Sequence, residues 1–299
     1  MMTRTTVPPW SLAVTAMLSV QLGAALSVPL IATVGPAGSA WLRYLIAAAV
    51  LLVVARPPLR SIRRTDVPIV VGLGVAMGVL TIASLAAIER IPLGTTAAIS
   101  FLGPLTVAAV RSHSRQALVW PFLALVGVVL LTEPWQGEID ALGVAYAVAS
   151  AVGWGAYILL TQQVGGRFSG ISALALTFPI AAITAAFMGV PQAVGHLSIG
   201  VLAASAGLAL LIPILPYALE MHALRKMTPH AFGTLMALEP AFAVLIGALV
   251  LAQFPGPGQV LGIALVVLAG AASQQGWRDQ VQQRRTRDGG AGRELVGQR

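Results

Sequence analysis

The sequence contains no cysteine, and only 9% of its 299 residues are charged. The absence of cysteine excludes disulfides, thiolate metal sites and cysteine nucleophiles. A soluble domain carries about 25% charged residues, so a chain this poor in charge has too little polar surface to face water. Hydrophobic residues make up 57% of the chain, and the mean hydropathy is +0.86. These values predict an integral membrane protein.

Sequence motifs for catalysis and for nucleotide or metal binding are also missing. The chain has no GxxxxGK[ST] loop, which argues against ATP-driven transport by this chain alone. No Ser–His arrangement and no pair of intramembrane aspartates suggests a protease. The histidines lack the spacing of metal ligands; they are His113, His196, His222 and His230. We therefore expect no enzyme activity, no metal and no cofactor.

The net charge of +8 comes from 18 Lys and Arg residues against 10 Asp and Glu residues. These basic residues lie between apolar runs and at the C-terminus, with few aromatic residues beside them. That pattern indicates cytoplasmic segments next to anionic lipid, and it argues against a nucleic-acid partner.

Ten apolar runs are long enough to be membrane helices, each needing about 20 residues. The runs do not alternate apolar and polar residues, so helices are favoured over barrel strands. No small-residue cleavage site follows the first run, which is therefore expected to be a membrane helix and not a cleaved signal. The predicted helices lie near residues 10–34, 38–55, 67–88, 93–110, 117–132, 141–162, 171–190, 198–223, 230–251 and 258–274.

The basic residues predict the orientation of these helices, because cytoplasmic loops are enriched in Lys and Arg. Arg43 lies inside a helix, and Arg90 is the basic residue of the opposite side, where Glu133, Glu138 and Asp140 also lie. Both termini are therefore expected in the cytoplasm. The remaining basic residues share one side and are Arg4, Arg56, Arg60, Arg63, Arg64, Arg111, Arg115, Arg167, Arg225, Lys226, Arg278, Arg284, Arg285, Arg287, Arg293 and Arg299.

A shift of 136 residues aligns the chain weakly with itself. The shift places FLGP at 101–104 on ALEP at 237–240, so Pro104 falls on Pro240. Two halves of five helices each must have opposite orientations, which is the inverted-repeat layout of secondary transporters. The predicted organisation is a cytoplasmic N-terminus at 1–9, repeats at 10–135 and 141–275, and a basic, disordered cytoplasmic tail at 276–299.

Three charged residues within the predicted helices are candidates for function, because charge inside a membrane is costly. Glu239 is predicted near the middle of the bilayer, where it could exchange a proton or pair with a substrate amine, or brace the break at Pro240. Glu220 could be a gate or ligand, or it could pair with Arg225 or Lys226 at the interface. Arg43 could bind a carboxylate or extend its side chain outward to the interface.

Polar and aromatic residues near the helix centres are further candidates. Under the 136-residue shift Tyr157 falls on Gln21, and Trp154 precedes Tyr157 by one turn. These side chains could line a cavity between the halves, or they could simply pack between helices. Prolines that free backbone groups can also mark a binding site. Those expected to interrupt helices are Pro29, Pro104, Pro179, Pro213, Pro216 and Pro240.

Several segments resemble the threonine/homoserine exporter group of the EamA-type drug/metabolite transporters. They are SVQLGAALSVPL, PLGTTAAISFLGPLTVAAV, WGAYILLTQQ and PYALEMHALRKMTPHAFGTLMALEPA. This resemblance implies ten helices in two inverted repeats, both termini inside, and proton-driven efflux of small amino acids. Two features depart from similar proteins, which carry Glu at the position of Ser100 and Gly-Glu in place of Ala252-Gln253.

The expected function is therefore a secondary exporter of small amino acids in a bacterial inner membrane, working by alternating access as a monomer or homodimer. Its expected partners are the small-molecule substrate, protons and membrane lipid. An exporter of another metabolite or an amphipathic drug is the alternative within the class. A lipid-acting membrane enzyme lacks a catalytic constellation here, and a non-transporting scaffold needs no carboxylate at the middle of the membrane.

Overall fold

A computed structural model describes residues 8–56, 63–111, 118–133, 135, 140–164, 170–224, 226–227 and 229–273. The predicted tail at 276–299, most of the N-terminal segment 1–9, and Arg60, Arg115, Arg167 and Arg225 lie outside these residues. Within the described residues the chain is helical, with no strand. Eight helical segments are long and apolar enough to cross a membrane, and two shorter apolar helices, Val119–Thr132 and Pro257–Ser273, accompany them.

Twelve α-helices follow one another along the described part of the chain. A 3₁₀ turn, Val194–His196, follows the seventh, and a π-helical segment, Leu210–Ile214, joins the eighth to the ninth. The helices are α1 Pro9–Leu26, α2 Val28–Ala55, α3 Val67–Ile88, α4 Leu93–Arg111, α5 Val119–Thr132, α6 Ala141–Val164, α7 Gly170–Ala193, α8 Ile199–Ala209, α9 Leu215–Leu224, α10 Pro229–Met236, α11 Glu239–Leu251 and α12 Pro257–Ser273.

The first helix ends earlier than its apolar run predicts. It stops at Leu26 and not near residue 34, and after Ser27 the second helix begins at Val28. Pro29 does not interrupt a helix but lies in the first turn of α2, where its missing N–H costs nothing. The interruption expected between the first two helices is instead a break inside α2 at Gly35, whose φ of 72° suits a residue without a side chain.

The break at Gly35 leaves backbone N–H groups without helical partners. The Oε1 atom of Gln192, at the end of α7, accepts hydrogen bonds from Ala37 N at 3.0 Å and Gly38 N at 3.2 Å. A Cβ on Gly35 would collide with the Gln192 side chain. The break in α2 and its partner on α7 therefore depend on each other.

Two other membrane passes are also broken. The pass that contains α8 and α9 changes to π-helical winding around Pro213. Pro216 has no N–H to continue the π pattern, so the Leu211 carbonyl loses its backbone donor. The Ser19 hydroxyl of α1 donates to that carbonyl at 2.6 Å. A side chain of a neighbouring helix thus satisfies the carbonyl that the proline frees.

The matched prolines of the two halves behave differently. The helix before Pro240 ends at Met236 and α11 starts at Glu239, so that pass is broken as expected. The expected break at Pro104 is absent, because α4 continues through that residue. The helix α7 likewise continues through Pro179. Membrane helices tolerate proline where neighbouring groups absorb the freed carbonyl, so proline alone does not determine a break.

Helices before residue 136 pack mainly against helices after it. α2 lies on α7, α3 on α6 and α7, α4 on α6 and α11, and α1 on α9 and α11. Glycines allow the closest approaches: a Cβ on Gly103 would meet the Ala151 carbonyl, and Gly127 and Gly262 each face the other's carbonyl. Small residues at such contacts are typical of helix packing in membranes.

The C-terminus of α11 carries a strained residue that allows a stability test. Ala252 has φ of 55° at the end of the helix, and the next residue, Gln253, donates its N–H to Gly247 O at 3.0 Å. The left-handed conformation costs a non-glycine residue about 1 kcal/mol. We therefore expect Ala252→Gly to raise the Tm in detergent by about 1–3 °C, after part of the gain is offset by the greater freedom of glycine in the unfolded chain.

The matched control is Ala248→Gly, four residues earlier on the right-handed part of α11. There glycine only weakens the helix, so the Tm should fall. Equal decreases for the two variants would show that Ala252 is not strained.

Candidate functional site

A cavity of about 340 Å³ lies among the helices of both halves. This size is within the range of small-molecule sites, roughly 300–1,000 Å³. The structure brings all the polar and aromatic side chains that the sequence singled out to this one cavity, and Pro213 and Pro216 line it as well. Those side chains are Gln21, Arg43, Ser100, Trp154, Tyr157, Glu220 and Glu239.

Glu239 lies where the broken pass resumes. It is the first residue of α11 and is 8% exposed. Its Oε1 atom accepts a hydrogen bond from Gln21 Nε2 at 3.2 Å, whereas Oε2 has no partner among the described residues. The start of a helix carries a partial positive charge, which favours a carboxylate there. One oxygen of Glu239 is thus fixed and the other remains available to a ligand.

Glu220 lies on α9 and lines the same cavity. Two acidic side chains thus line one cavity. The alternative in which Glu220 pairs with Lys226 is not seen among the described residues, and Arg225 lies outside them.

Arg43 is buried inside the protein and does not extend to the interface. Its side chain is 4% exposed, which contradicts the outward-extending alternative. Nη1 donates to Ser27 Oγ at 3.2 Å, and Ser27 in turn donates to Gly23 O at 2.6 Å. The Nε atom has no partner within the described residues. A buried cation with a free donor is an arrangement that can bind an anionic group.

Aromatic side chains form part of the cavity wall. The hydroxyls of Tyr157 and Tyr217 are 2.9 Å apart, and the Tyr217 ring meets Phe178 edge-to-face at 6.1 Å. Phe178 also meets Tyr44 at 5.4 Å, and Trp154 meets Phe101 at 6.4 Å. Such contacts hold the rings in defined positions and make this wall apolar and rigid.

Hydroxyl groups line the surface formed by α4 and α6. Ser100 Oγ donates to Ser150 Oγ at 3.0 Å, which joins α4 to α6 across the two halves. Thr96, one turn before Ser100, is 2% exposed, and its hydroxyl has no partner among the described residues. The Thr96 side chain lines the cavity with a buried hydroxyl that no described neighbouring group uses.

Sequence reasoning did not identify Thr96, Ser150 or Tyr217 as cavity residues. Helical spacing was the signal that could have found them. Thr96 precedes Ser100 by four residues, Ser150 precedes Trp154 by four, and Tyr217 precedes Glu220 by three. Residues three or four apart share one face of a helix.

Polar contacts between the halves also gather at one end of the bundle, where α4 begins and α11 ends; we call it the Gln253 end. There Gln253 Oε1 accepts from Leu93 N at 3.0 Å, and Gln259 Nε2 donates to Leu131 O at 3.4 Å. The two Gln192 bonds to α2 lie at the same end.

An exposed ion pair completes the Gln253 end. Arg90 Nε and Asp140 Oδ1 are 3.0 Å apart, and Gly143 N donates to the same oxygen at 2.8 Å. The Arg90 guanidinium holds the pKa of the Asp140 carboxyl below its ordinary value. The pair therefore stays charged at neutral pH.

The comparisons with known proteins agree with this architecture. The model of the EamA-like transporter family matches residues 141–272. The threonine/homoserine exporter RhtA of Escherichia coli (strain K12) is 33% identical over 264 residues, covering 86% of this chain and 88% of that protein. The protein of the same name from Salmonella typhimurium (strain LT2) is similar to the same extent.

The fold also matches a solved crystal structure. The TM-score is 0.61 at 20% identity, covering 89% of this chain and 98% of that chain, a likeness that concerns the fold alone. Because its family and its relatives are transporters, the protein is a multi-pass transporter of the inner membrane and not an enzyme. The chain belongs to the EamA-like transporter family, near the threonine/homoserine exporters.

Proposed function

We propose that the protein exports threonine, homoserine and similar small amino acids in exchange for protons, by alternating access. The observation that carries the proposal is the cavity in which Arg43 and Glu239 each keep a free polar atom. The printed name of the relatives, threonine/homoserine exporter, supports this substrate class.

An amino acid at neutral pH carries a carboxylate and an ammonium group. The guanidinium of Arg43 is suited to the carboxylate, because it can form two parallel hydrogen bonds. The free oxygen of Glu239 is suited to the ammonium group, with Glu220 as a second acidic residue in the cavity. A zwitterionic amino acid therefore offers each of these charged residues a group of opposite charge.

Proton exchange follows from the use of one carboxylate for two cations. Glu239 can carry a proton or pair with a substrate ammonium, but the two compete for the same group. Substrate binding from the cytoplasm would release the proton, and reprotonation from the outer side would release the substrate. Such competition couples the two flows.

Ten membrane crossings in two inverted repeats belong to the same proposal. In such a layout each of the first five passes corresponds to one of the last five, in chain order. When every pass is replaced by its counterpart, the contact of α3 with α6 becomes the contact of α9 with α1. The same replacement also maps α4 on α6 onto α11 on α1, and α3 on α7 onto α8 on α2; all these packings occur. This correspondence supports the inverted-repeat layout, with the cavity between the halves.

A second candidate is the export of an amphipathic drug or another metabolite. The aromatic wall of Tyr157, Tyr217 and Phe178 favours it, since flat apolar ligands stack on such rings. Counterflow in proteoliposomes, with threonine, homoserine and cationic drugs offered separately, distinguishes the two. Countertransport of the drugs without the amino acids would refute the leading proposal.

The proposed orientation, with both termini in the cytoplasm, can be tested in the full chain because no native cysteine interferes. Cysteines from Gly137→Cys and Gly195→Cys should react with an impermeant maleimide in intact cells. Those from Ser114→Cys and Gly166→Cys should react only after permeabilisation. Protection of the residue-137 cysteine in intact cells would contradict the two-repeat layout, because that position joins the halves.

The role of Arg43 is tested by Arg43→Lys, which keeps the charge but loses the paired hydrogen bonds. We expect the KM for threonine to rise about tenfold. The KM for threoninol, which lacks the carboxylate, should change little. Arg90→Lys, outside the cavity, serves as the matched control, and an unchanged KM for threonine in Arg43→Lys would remove Arg43 from the site.

The role of Glu239 is tested by Glu239→Gln, which keeps the shape and the acceptor for Gln21 but cannot exchange a proton. We expect a protein that folds and inserts but no longer exports in response to a pH gradient. The measurement is efflux from proteoliposomes with and without the gradient, and Glu89→Gln at the exposed turn after α3 is the control. Wild-type rate and pH dependence in Glu239→Gln would leave Glu239 as a brace and Glu220 as the coupling candidate.

A further inference from the structure

Two uncharged hydroxyls in the cavity have no hydrogen-bond partner among the described residues, those of Thr96 and Ser84, and of the two only that of Thr96 is buried. Threonines inside helices usually donate to the carbonyl four residues earlier. Thr33, Thr177 and Thr184 do so here, at 3.0, 3.1 and 2.9 Å. Thr96 Oγ1 is buried but forms no such bond within the described residues. A buried hydroxyl without a partner loses its hydration without compensation.

Ser84 is only partly buried, so its hydroxyl does not lose its hydration as that of Thr96 does, and further cavity hydroxyls are already paired. Ser100 bonds Ser150, and Tyr157 bonds Tyr217. Among the described residues that line the cavity, Thr96 joins Arg43 and Glu239 as a residue with a buried, unpartnered polar atom. The free atoms of this set thus comprise a cationic donor, an acidic acceptor and a neutral hydroxyl.

The packing of α4 on α11 sets the height of Thr96 relative to Glu239. Gly247 approaches Leu93, and Gly94 approaches Val244, so the two helices run antiparallel. Thr96 lies about 3 Å beyond Gly94 along the axis of α4. Glu239 lies about 7.5 Å before Val244 along the axis of α11, which is the same direction in space because the helices are antiparallel. The two residues therefore differ in height by about 4.5 Å. One small molecule can reach both.

We infer that Thr96 determines substrate specificity, because its hydroxyl forms a hydrogen bond with the side-chain hydroxyl of the transported amino acid. This inference rests on the proposed export of small amino acids and adds the residue that selects hydroxylated ones. With the ammonium group on Glu239 and the carboxylate on Arg43, the short side chain of threonine or homoserine would lie along α4. An apolar side chain of the same size would leave the Thr96 hydroxyl buried and unpaired.

The expected selectivity is measurable with isosteric pairs of amino acids. Valine has a methyl group where threonine has its hydroxyl, and norvaline stands in the same relation to homoserine. A site built to bond a hydroxyl discriminates strongly against the analogue that lacks it. In proteoliposomes with the full-length protein, threonine and homoserine should each compete at least about tenfold better than valine and norvaline.

The decisive variant is Thr96→Val, which keeps the shape of the side chain and removes the hydroxyl. The competition ratios of threonine to valine and of homoserine to norvaline should fall to near one. Thr96→Ser should keep a ratio well above one, since it retains the hydroxyl. Thr95→Val is the matched control, because Thr95 is a buried neighbour on α4 that does not line the cavity, and it should keep the wild-type ratio.

The outcomes separate the two claims. A wild-type protein that moves no amino acid would overturn the proposed function, and the inference with it. A wild-type protein that moves amino acids with a ratio unchanged by Thr96→Val would overturn the inference alone. An equal fall of the ratio in Thr95→Val would also overturn it, because the effect would then come from the packing of α4.

Discussion

The interior of a bilayer offers no water to a backbone group that a helix leaves free, and this constraint governs every interruption in the helices described here. Gln192 accepts from the N–H groups after the break at Gly35, Ser19 donates to the Leu211 carbonyl, and Gln253 accepts at the start of α4. In each case the partner comes from the other half of the chain. These three places are thus also places where the two halves are joined.

The same constraint gives meaning to the polar atoms that are not satisfied. A buried group without a partner is costly, and most hydroxyls in these helices avoid that cost with a local bond, as Thr184 does. Arg43, Thr96 and Glu239 do not avoid it, yet they share one cavity. Ser39 and Thr161 also have buried hydroxyls without a partner among the described residues, but they do not line the cavity. The gathering of the other three groups in one cavity is what a ligand that occupies it during transport would explain.

Hydropathy was sufficient to predict the positions of most helices, because the bilayer selects long apolar runs. It could not predict the turn at Ser27, since the apolar run continues across it and no polar loop marks it. The continuity of α4 through Pro104 depends on its neighbours and not on the proline itself. Thr96 was missed because a threonine hydroxyl in a helix often bonds a carbonyl of its own helix, as that of Thr33 does. The spacing of Thr96 from Ser100 places it on the cavity side of α4, but only the structure shows that its hydroxyl forms no such bond within the described residues.

Alternating access, as proposed, requires that the contacts at the Gln253 end can be broken and remade. Each neutral hydrogen bond there is worth about 1 kcal/mol net, and the exposed Arg90–Asp140 ion pair adds little because water and salt screen it. The sum is a few kcal/mol, which is within the range that differential binding of a substrate or proton can offset. Apolar residues of the two halves also pack together near this end, Leu93 with Ala243 in one cluster and Val34 with Ala193 in another, so the motion has to keep them covered. Occupancy of Glu239 and Arg43 then has to offset the polar contacts made by Gln192, Gln253 and Gln259.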